Sequence, residues 1–370
     1  MGYLCCNSVF ICFFVLLLTG TISSQQPRCP FNYIYHLGDG VADNGNAIRT
    51  LPFGPGLPAA RLPYGETYPG RPTGRWSDGR LIIDFAATVL GLTRLKPYLD
   101  TNTSSNDGVI FAVAGSPVLD RFFYLNKGVT IPNYAAPLNL QHNWFRRYLM
   151  NFVCSTPTEC AGRLGDSLLL FGDIEGNDIH YPLLQGKSIQ DIQTNYVPFV
   201  TQTTINTTRE LIRAGAKRVI VPGNVPLGCY PYILSEFPSN DPTAYDDLGC
   251  LKSVNNLVLF KNNHLRTSLD SLKLEFPNVT ILFADYFTTV KTVLRTSLPS
   301  FVNNTLLKTC CGIGGTYNYN RRRFCGSLGV PVCSDPSKYI HWDGIHLTQE
   351  TNSRISQILV QQLLPALSCS

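Results

Sequence analysis

At 370 residues with a formal net charge of +5 and only 15% charged side chains, the chain is long enough for a large core and shows no charge block, low-complexity run or internal repeat. Its thin basic excess is that of a solvated surface and gives no footprint for a nucleic-acid partner. No linker divides it, so residues 25–370 are expected to form a single α/β domain behind a leader.

That leader is residues 1–24. Val9 to Leu18 (VFICFFVLLL) is apolar but too short to span a bilayer, and small polar residues follow through Ser24. The pattern fits a secretory signal, although no Lys or Arg precedes the apolar run. An uncleaved anchor is the alternative, and nothing downstream resembles a stop-transfer segment. After signal cleavage no membrane span is expected. Of thirteen cysteines, three lie in the leader. The ten others are an even number suited to disulfides in an oxidising compartment. Cys154/Cys160 and Cys229/Cys250 are plausible local bridges, whereas the late cluster (Cys310, Cys311, Cys325, Cys333) cannot be paired from sequence. No C-x-x-C spacing or histidine pair supports a metal site. Sequons at Asn102, Asn206, Asn278 and Asn303 mark surface positions of a glycoprotein. The expected route is the secretory pathway, through the ER to the vacuole or the cell exterior.

In chain order, short β-rich runs at Tyr33–Leu37, Val109–Ala112, Ser167–Phe171, Val219–Pro222 and Thr280–Ala284 alternate with helical patterns. Amphipathic stretches run from Tyr196 to Ala214 and from Ser253 to Glu275, and a last helix from about Gln349 to Leu364. The alternation predicts a three-layer α/β/α sandwich with a parallel sheet of about five strands. The Pro- and Gly-rich segment Leu51–Gly79 reads as a long loop over the sheet's carboxyl edge, where open α/β sheets bind ligands.

Four stations stand at predicted strand ends or before the last helix: Gly38-Asp39-Gly40, Ala114-Gly115, Gly176-Asn177-Asp178 and Asp343-Gly344-Ile345-His346. Acyl transfer needs a nucleophile, a base oriented by a carboxylate, and donors for the oxyanion. Asp343 is spaced to orient His346 as base. Asn177 and the amides of Gly40 and Gly115 are the candidate oxyanion donors. Each piece alone is weak, since glycine after a strand is ordinary turn chemistry; the order of all four carries the reading.

From about Arg28 through Cys369 the chain resembles plant GDSL esterases/lipases of the SGNH hydrolase superfamily. Pro63–Pro69 (PYGETYP), Gly74–Phe85 (GRWSDGRLIIDF), Val221-Pro222-Gly223, Pro226-Leu227-Gly228-Cys229 and Cys310-Cys311-Gly312 carry the resemblance beyond the stations. It implies His346 as base, Asp343 as its orienting acid, Gly115 and Asn177 as oxyanion residues, and no cofactor. It also implies a serine nucleophile at position 40, where this chain has glycine. A second departure is Ser116-Pro117, where family members commonly carry Ala-Thr; Pro117 removes an amide donor. Ser116 is a candidate displaced nucleophile, and Ser77 a weaker one. His36, His142, His180, His264 and His341 have no motif context and read as surface or satisfied core histidines. The resemblance therefore implies an acetylesterase-like frame without its hydroxyl, a pseudoenzyme expected to bind a small-molecule ester or alkaloid or to assist an active paralogue as a heteromer. An active or altered carboxylic ester hydrolase, using water activated at His346–Asp343, is the alternative. Repair by Gly40→Ser is expected to cost little sterically.

Overall fold

A computed structural model describes residues 27–101, 105–172, 176–297 and 305–369. The predicted leader, Asn102 and Asn303 lie outside the described residues. Asn206 and Asn278 are exposed.

Six strands form one sheet in the order β2-β3-β1-β4-β5-β6, with every pair parallel. They are β1 (Tyr33–Gly38), β2 (Leu95–Pro97), β3 (Gly108–Ile110), β4 (Ser167–Gly172), β5 (Arg218–Pro222) and β6 (Thr280–Ala284). Five match the expected runs. The sixth, β2, is three residues long and carries too little alternation to register as a strand. Both faces of β1 are covered, so it reads as an almost unbroken apolar run. Ile34 and His36 point to one face and Tyr35 to the other, where its ring meets Phe145 at 5.0 Å.

The helices are α1 (Ile82–Leu90), α2 (Arg121–Asn126), α3 (Leu138–Tyr148), α4 (Pro157–Gly165), α5 (Gly176–Leu184), α6 (Ile189–Asn195), α7 (Val197–Arg213), α8 (Pro231–Glu236), α9 (Lys252–Glu275), α10 (Tyr286–Ser297) and α11 (Gln349–Leu363). Helices α1 and α11 pack together on the His36 face, while α3, α7 and α9 cover the Tyr35 face. The three expected helical stretches correspond to α7, α9 and α11 to within a residue or two. Among the described residues no helix is long and apolar enough to cross a membrane.

The sheet's connections part at β1: the chain moves to β3 and β2 on one side and to β4, β5 and β6 on the other. The loops leaving β1, β3 and β4 therefore open a crevice at the carboxyl edge. A second, smaller hydrophobic cluster sits over that edge, built from Tyr64, Trp76, Val113, Cys310, Cys311 and Trp342. The segment expected as a loop, Leu51–Gly79, supplies two of those aromatics and is folded into short 3-10 turns.

All ten cysteines outside the leader pair: Cys29–Cys369, Cys154–Cys160, Cys229–Cys250, Cys310–Cys333 and Cys311–Cys325. The two local bridges are those expected. The last two are nested, Cys311–Cys325 inside Cys310–Cys333, and the strand-like backbone they hold donates from Cys310 N to His341 O (2.9 Å) and from Cys311 N to Trp342 O (2.8 Å). This nested pair thus fixes the segment that leads into Asp343 and His346.

Candidate active site

The first station follows β1. The side chain of Gln141 clamps the strand's end, accepting from Gly38 N and donating to Gly38 O, both at 2.8 Å. Asp39 then begins a tight turn, its carbonyl accepting from Ala42 N and Asp43 N. Asp43 is fully buried and accepts from four backbone amides, those of Gly45, Asn46, Ala47 and Ala114. Burial nonetheless outweighs those bonds and pushes its carboxyl up to about 6. Through Ala114 this aspartate ties the β1 turn to the second station.

A second carboxylate secures the same loop from the far side. Asp178 accepts from Val118 N (2.7 Å), Leu119 N and the Tyr124 hydroxyl. Burial raises its carboxyl to about 7. Ser116 is fully buried with its Oγ accepting from Ala136 N at 2.9 Å, and it does not line the cleft. Ser77 is likewise buried, donating to Leu347 O at 3.0 Å. Both serines hold loops together and neither lines the cleft described below.

His346 is built by its own turn. Asp343 Oδ1 accepts from Ile345 N and His346 N, and Gly344 sits at φ +94°, a conformation that L side chains rarely adopt. The turn folds the ring back so that Nδ1 meets Asp343 Oδ2 at 2.8 Å. That is the physical content of the three-residue spacing. The same Oδ2 also accepts from the Tyr64 hydroxyl at 2.7 Å. Burial alone would raise the Asp343 carboxyl, but the His346 ring, the backbone amide and Tyr64 together hold it below the usual carboxylate range. Trp76 lies against the imidazole with ring centroids 5.1 Å apart.

Gly40, Gly115, Asn177 and His346 all line one cleft of about 300 Å³. An ideal Cβ on Gly40 would lie 2.5 Å from His346 Nε2 and 3.0 Å from Cδ2, whereas ordinary contact begins at 3.4 Å. The imidazole therefore stands against the glycine backbone, in the space a side chain would need. The small steric cost expected of Gly40→Ser thus takes the form of a retreat of the His346 ring by about 1 Å. Asn177 also departs from a free oxyanion donor. Its Nδ2 donates to Asp39 Oδ2 (2.7 Å) and to Ser116 O (3.1 Å), tying the first station to the second. The amides of Gly40 and Gly115 make no protein hydrogen bond among the described residues and remain available to a ligand oxygen.

The remaining walls are largely aromatic: Trp76, Tyr134, Tyr181, Tyr230, Tyr232 and Phe324. Among the described residues no lysine or arginine lines the cleft, and Asp39 is the carboxylate that does. His180, expected to have no role, also lines it, packed between Tyr181 (4.6 Å) and Tyr232 (5.2 Å). Burial first, and then the charge of His346, lower its ring to about 4, so it is neutral near pH 7. Its signal was present: it lies three residues after Asn177 on one helix and so shares its face. Tyr64 and Trp76 were visible only as parts of long matching stretches. Of the other histidines, His264 is exposed and His142 is buried near Glu210. His341 is buried beside Tyr230. His36 is buried with no hydrogen-bond partner for either ring nitrogen among the described residues, so it is not the satisfied core histidine expected.

Residues 34–359 match the GDSL-like lipase/acylhydrolase family. The chain is 49% identical over 346 residues to acetylajmalan esterase of Rauvolfia serpentina, covering 92% of this chain and 88% of that protein. Acetylajmalan esterase 2 of the same plant is 48% identical, with 92% and 93% covered. Sinapine esterase of Brassica napus is 37% identical, with 93% and 89% covered.

Proposed function

The chain belongs to the GDSL-like lipase/acylhydrolase family, and from that premise we propose that it is an acetylesterase homologue that binds its ester but turns it over weakly, having lost the nucleophile at position 40. The observation that carries this reading is the contact at Gly40. The His346 ring, held by Asp343, faces bare backbone where an attacking hydroxyl would stand. Removing the serine from comparable triads costs on the order of 10⁶ in turnover and leaves roughly 10³–10⁴ over water from binding and the oxyanion donors. The cleft, aromatic and without a lysine or arginine among the described residues, suits a compact ring system. An acetylated indole alkaloid, of the kind acetylajmalan esterase is named for, is the ligand proposed. The five disulfides belong to a protein folded in an oxidising compartment. Passage to the vacuole or the cell exterior, and partnership with an active paralogue, are the context that weak turnover leaves for it.

The test is repair. Purified wild-type protein and Gly40→Ser are assayed against acetylated alkaloids and a generic acetyl ester. The variant should gain at least about 10²-fold, once His346 has yielded the space its new side chain needs. The wild type should run at least about 10³-fold below an active relative. A wild type as fast as such a relative would refute the reading. So would a folded Gly40→Ser protein that remains silent on every ester.

A further inference from the structure

Glycine at position 40 does more than lack a hydroxyl, because His346 Nε2 stands within 2.5 Å of where a Cβ would lie. Nδ1 is bound to Asp343, which places the proton on Nδ1 and leaves the lone pair of Nε2 directed at the cleft. Asp343 is itself fixed by Tyr64 and by two backbone amides, and Trp76 backs the ring, so Nε2 is well positioned. In a serine-bearing frame a hydroxyl would stand between this nitrogen and a bound carbonyl. Here nothing does: Nε2 lies 2.5 Å from where even a Cβ would begin. The first electron pair that an ester carbonyl meets beside the amides of Gly40 and Gly115 is the imidazole's own.

We propose that His346 Nε2 is itself the nucleophile of this chain's residual activity, forming an acyl-imidazole, and that its turnover is confined to esters of acidic hydroxyls such as phenols and enols. The proposal rests on the esterase-like reading of the cleft and names the chemistry left in it. Nε2 attacks the carbonyl carbon, a C–N bond forms, and the oxyanion accepts from the Gly40 and Gly115 amides. The intermediate collapses with the ester C–O electron pair leaving on the aryloxide, which takes its proton from water. The acyl-imidazolium keeps Nδ1–H on the Asp343 carboxylate, whose negative charge offsets the new positive one. Water then adds to the acyl carbon, the C–N bond breaks, the acid departs with its proton lost to solvent, and neutral imidazole returns.

The restriction to acidic leaving groups follows from competition within the tetrahedral intermediate. Imidazole, with a conjugate acid near 6.5, is expelled far more readily than an alkoxide, whose conjugate acid lies near the ~15.7 of water. An alkyl ester therefore binds, is attacked and reverts. A phenolic ester, with a leaving group of about 10 or below, goes forward. Water activation by the same histidine has no such covalent stage.

The experiment compares wild type with Gly40→Ser, using 4-nitrophenyl acetate and ethyl acetate for turnover and 4-nitrophenyl N,N-dimethylcarbamate as a slowly released label, with adducts located by peptide mass spectrometry. The expected wild-type result is a carbamoyl group on His346, with ethyl acetate cleaved at least about 10²-fold more slowly than the aryl ester. In Gly40→Ser the label moves to the introduced serine and ethyl acetate becomes a substrate. An unlabelled wild type beside a labelled Gly40→Ser protein would overturn the histidine nucleophile and leave the binding reading intact. A label on any other wild-type residue would overturn it as well. Absence of label and turnover from both folded proteins would overturn the inference together with the esterase-like reading beneath it.

Discussion

Replacing Tyr64 with phenylalanine removes one oxygen from a fully buried ring and tests how the Asp343–His346 pair is held. Tyr64 and Asp343 are 0% and 1% exposed, and the 2.7 Å bond between them places a neutral donor on a buried carboxylate. Burial, and then the charge of Asp343, push the Tyr64 phenol far above its ordinary value, so it remains a donor at any accessible pH. A hydrogen bond to a charged group contributes about 1.5–3 kcal/mol, and its loss leaves a buried oxygen one partner short. For a chain of this size that corresponds to a fall of roughly 2–4 °C in melting temperature. The pH dependence gives the sharper check. The folded Asp343 carboxyl lies below its unfolded value of ~3.9, so its contribution is complete above that pH and is lost as pH falls through the folded value. The Tyr64→Phe deficit should therefore be full at neutral pH and shrink towards acid, where the carboxyl protonates in both proteins. Thermal melts of both proteins with disulfides intact, from neutral to strongly acid pH, provide the measurement. A deficit under about 1 °C at neutral pH, or one that stays constant into acid, would refute this account of Tyr64.

His36 lies in an apolar cavity of about 80 Å³ between the sheet and helices α1 and α11, and burial lowers its ring to about 3. Because the unfolded value is ~6.5, its neutral folded form costs stability as pH falls below that value, so His36→Leu should stabilise the protein by about 1 kcal/mol at neutral pH and by more at pH 5, read from melts. A serine-directed organophosphonate should leave no adduct on wild-type protein, since Ser116 is bonded to Ala136 N and faces away from the cleft; mass spectrometry that finds Ser116 modified would contradict that orientation. Replacing Cys311 and Cys325 together by serine in the Gly40→Ser background should abolish the regained esterase activity at temperatures where the sheet core still melts cooperatively, because that bridge holds the backbone bonded to Trp342. Activity that survives would uncouple that bridge from the His346 turn.

Much of this protein was legible in order along the chain, because the controlling interactions are local or periodic. The strand–helix alternation carried five of six strands, and Asp343-Gly344-Ile345-His346 carried its own turn, since an aspartate that caps two following amides folds the ring back onto itself. Cys154–Cys160 and Cys229–Cys250 close short loops, so proximity in sequence sufficed. Other features arose only when distant segments met. Tyr64 reaches Asp343 across 279 residues, and Asn177 spends its donors on Asp39 and Ser116. Neither pairing leaves a trace in spacing or composition. The nested bridges of Cys310, Cys311, Cys325 and Cys333 were equally open, because four nearby cysteines allow several pairings and only the packed backbone selects one. Sequence determined that position 40 carries no side chain; tertiary packing decided that His346 Nε2 stands where a Cβ would lie, because the Asp343-held imidazole meets only glycine backbone there.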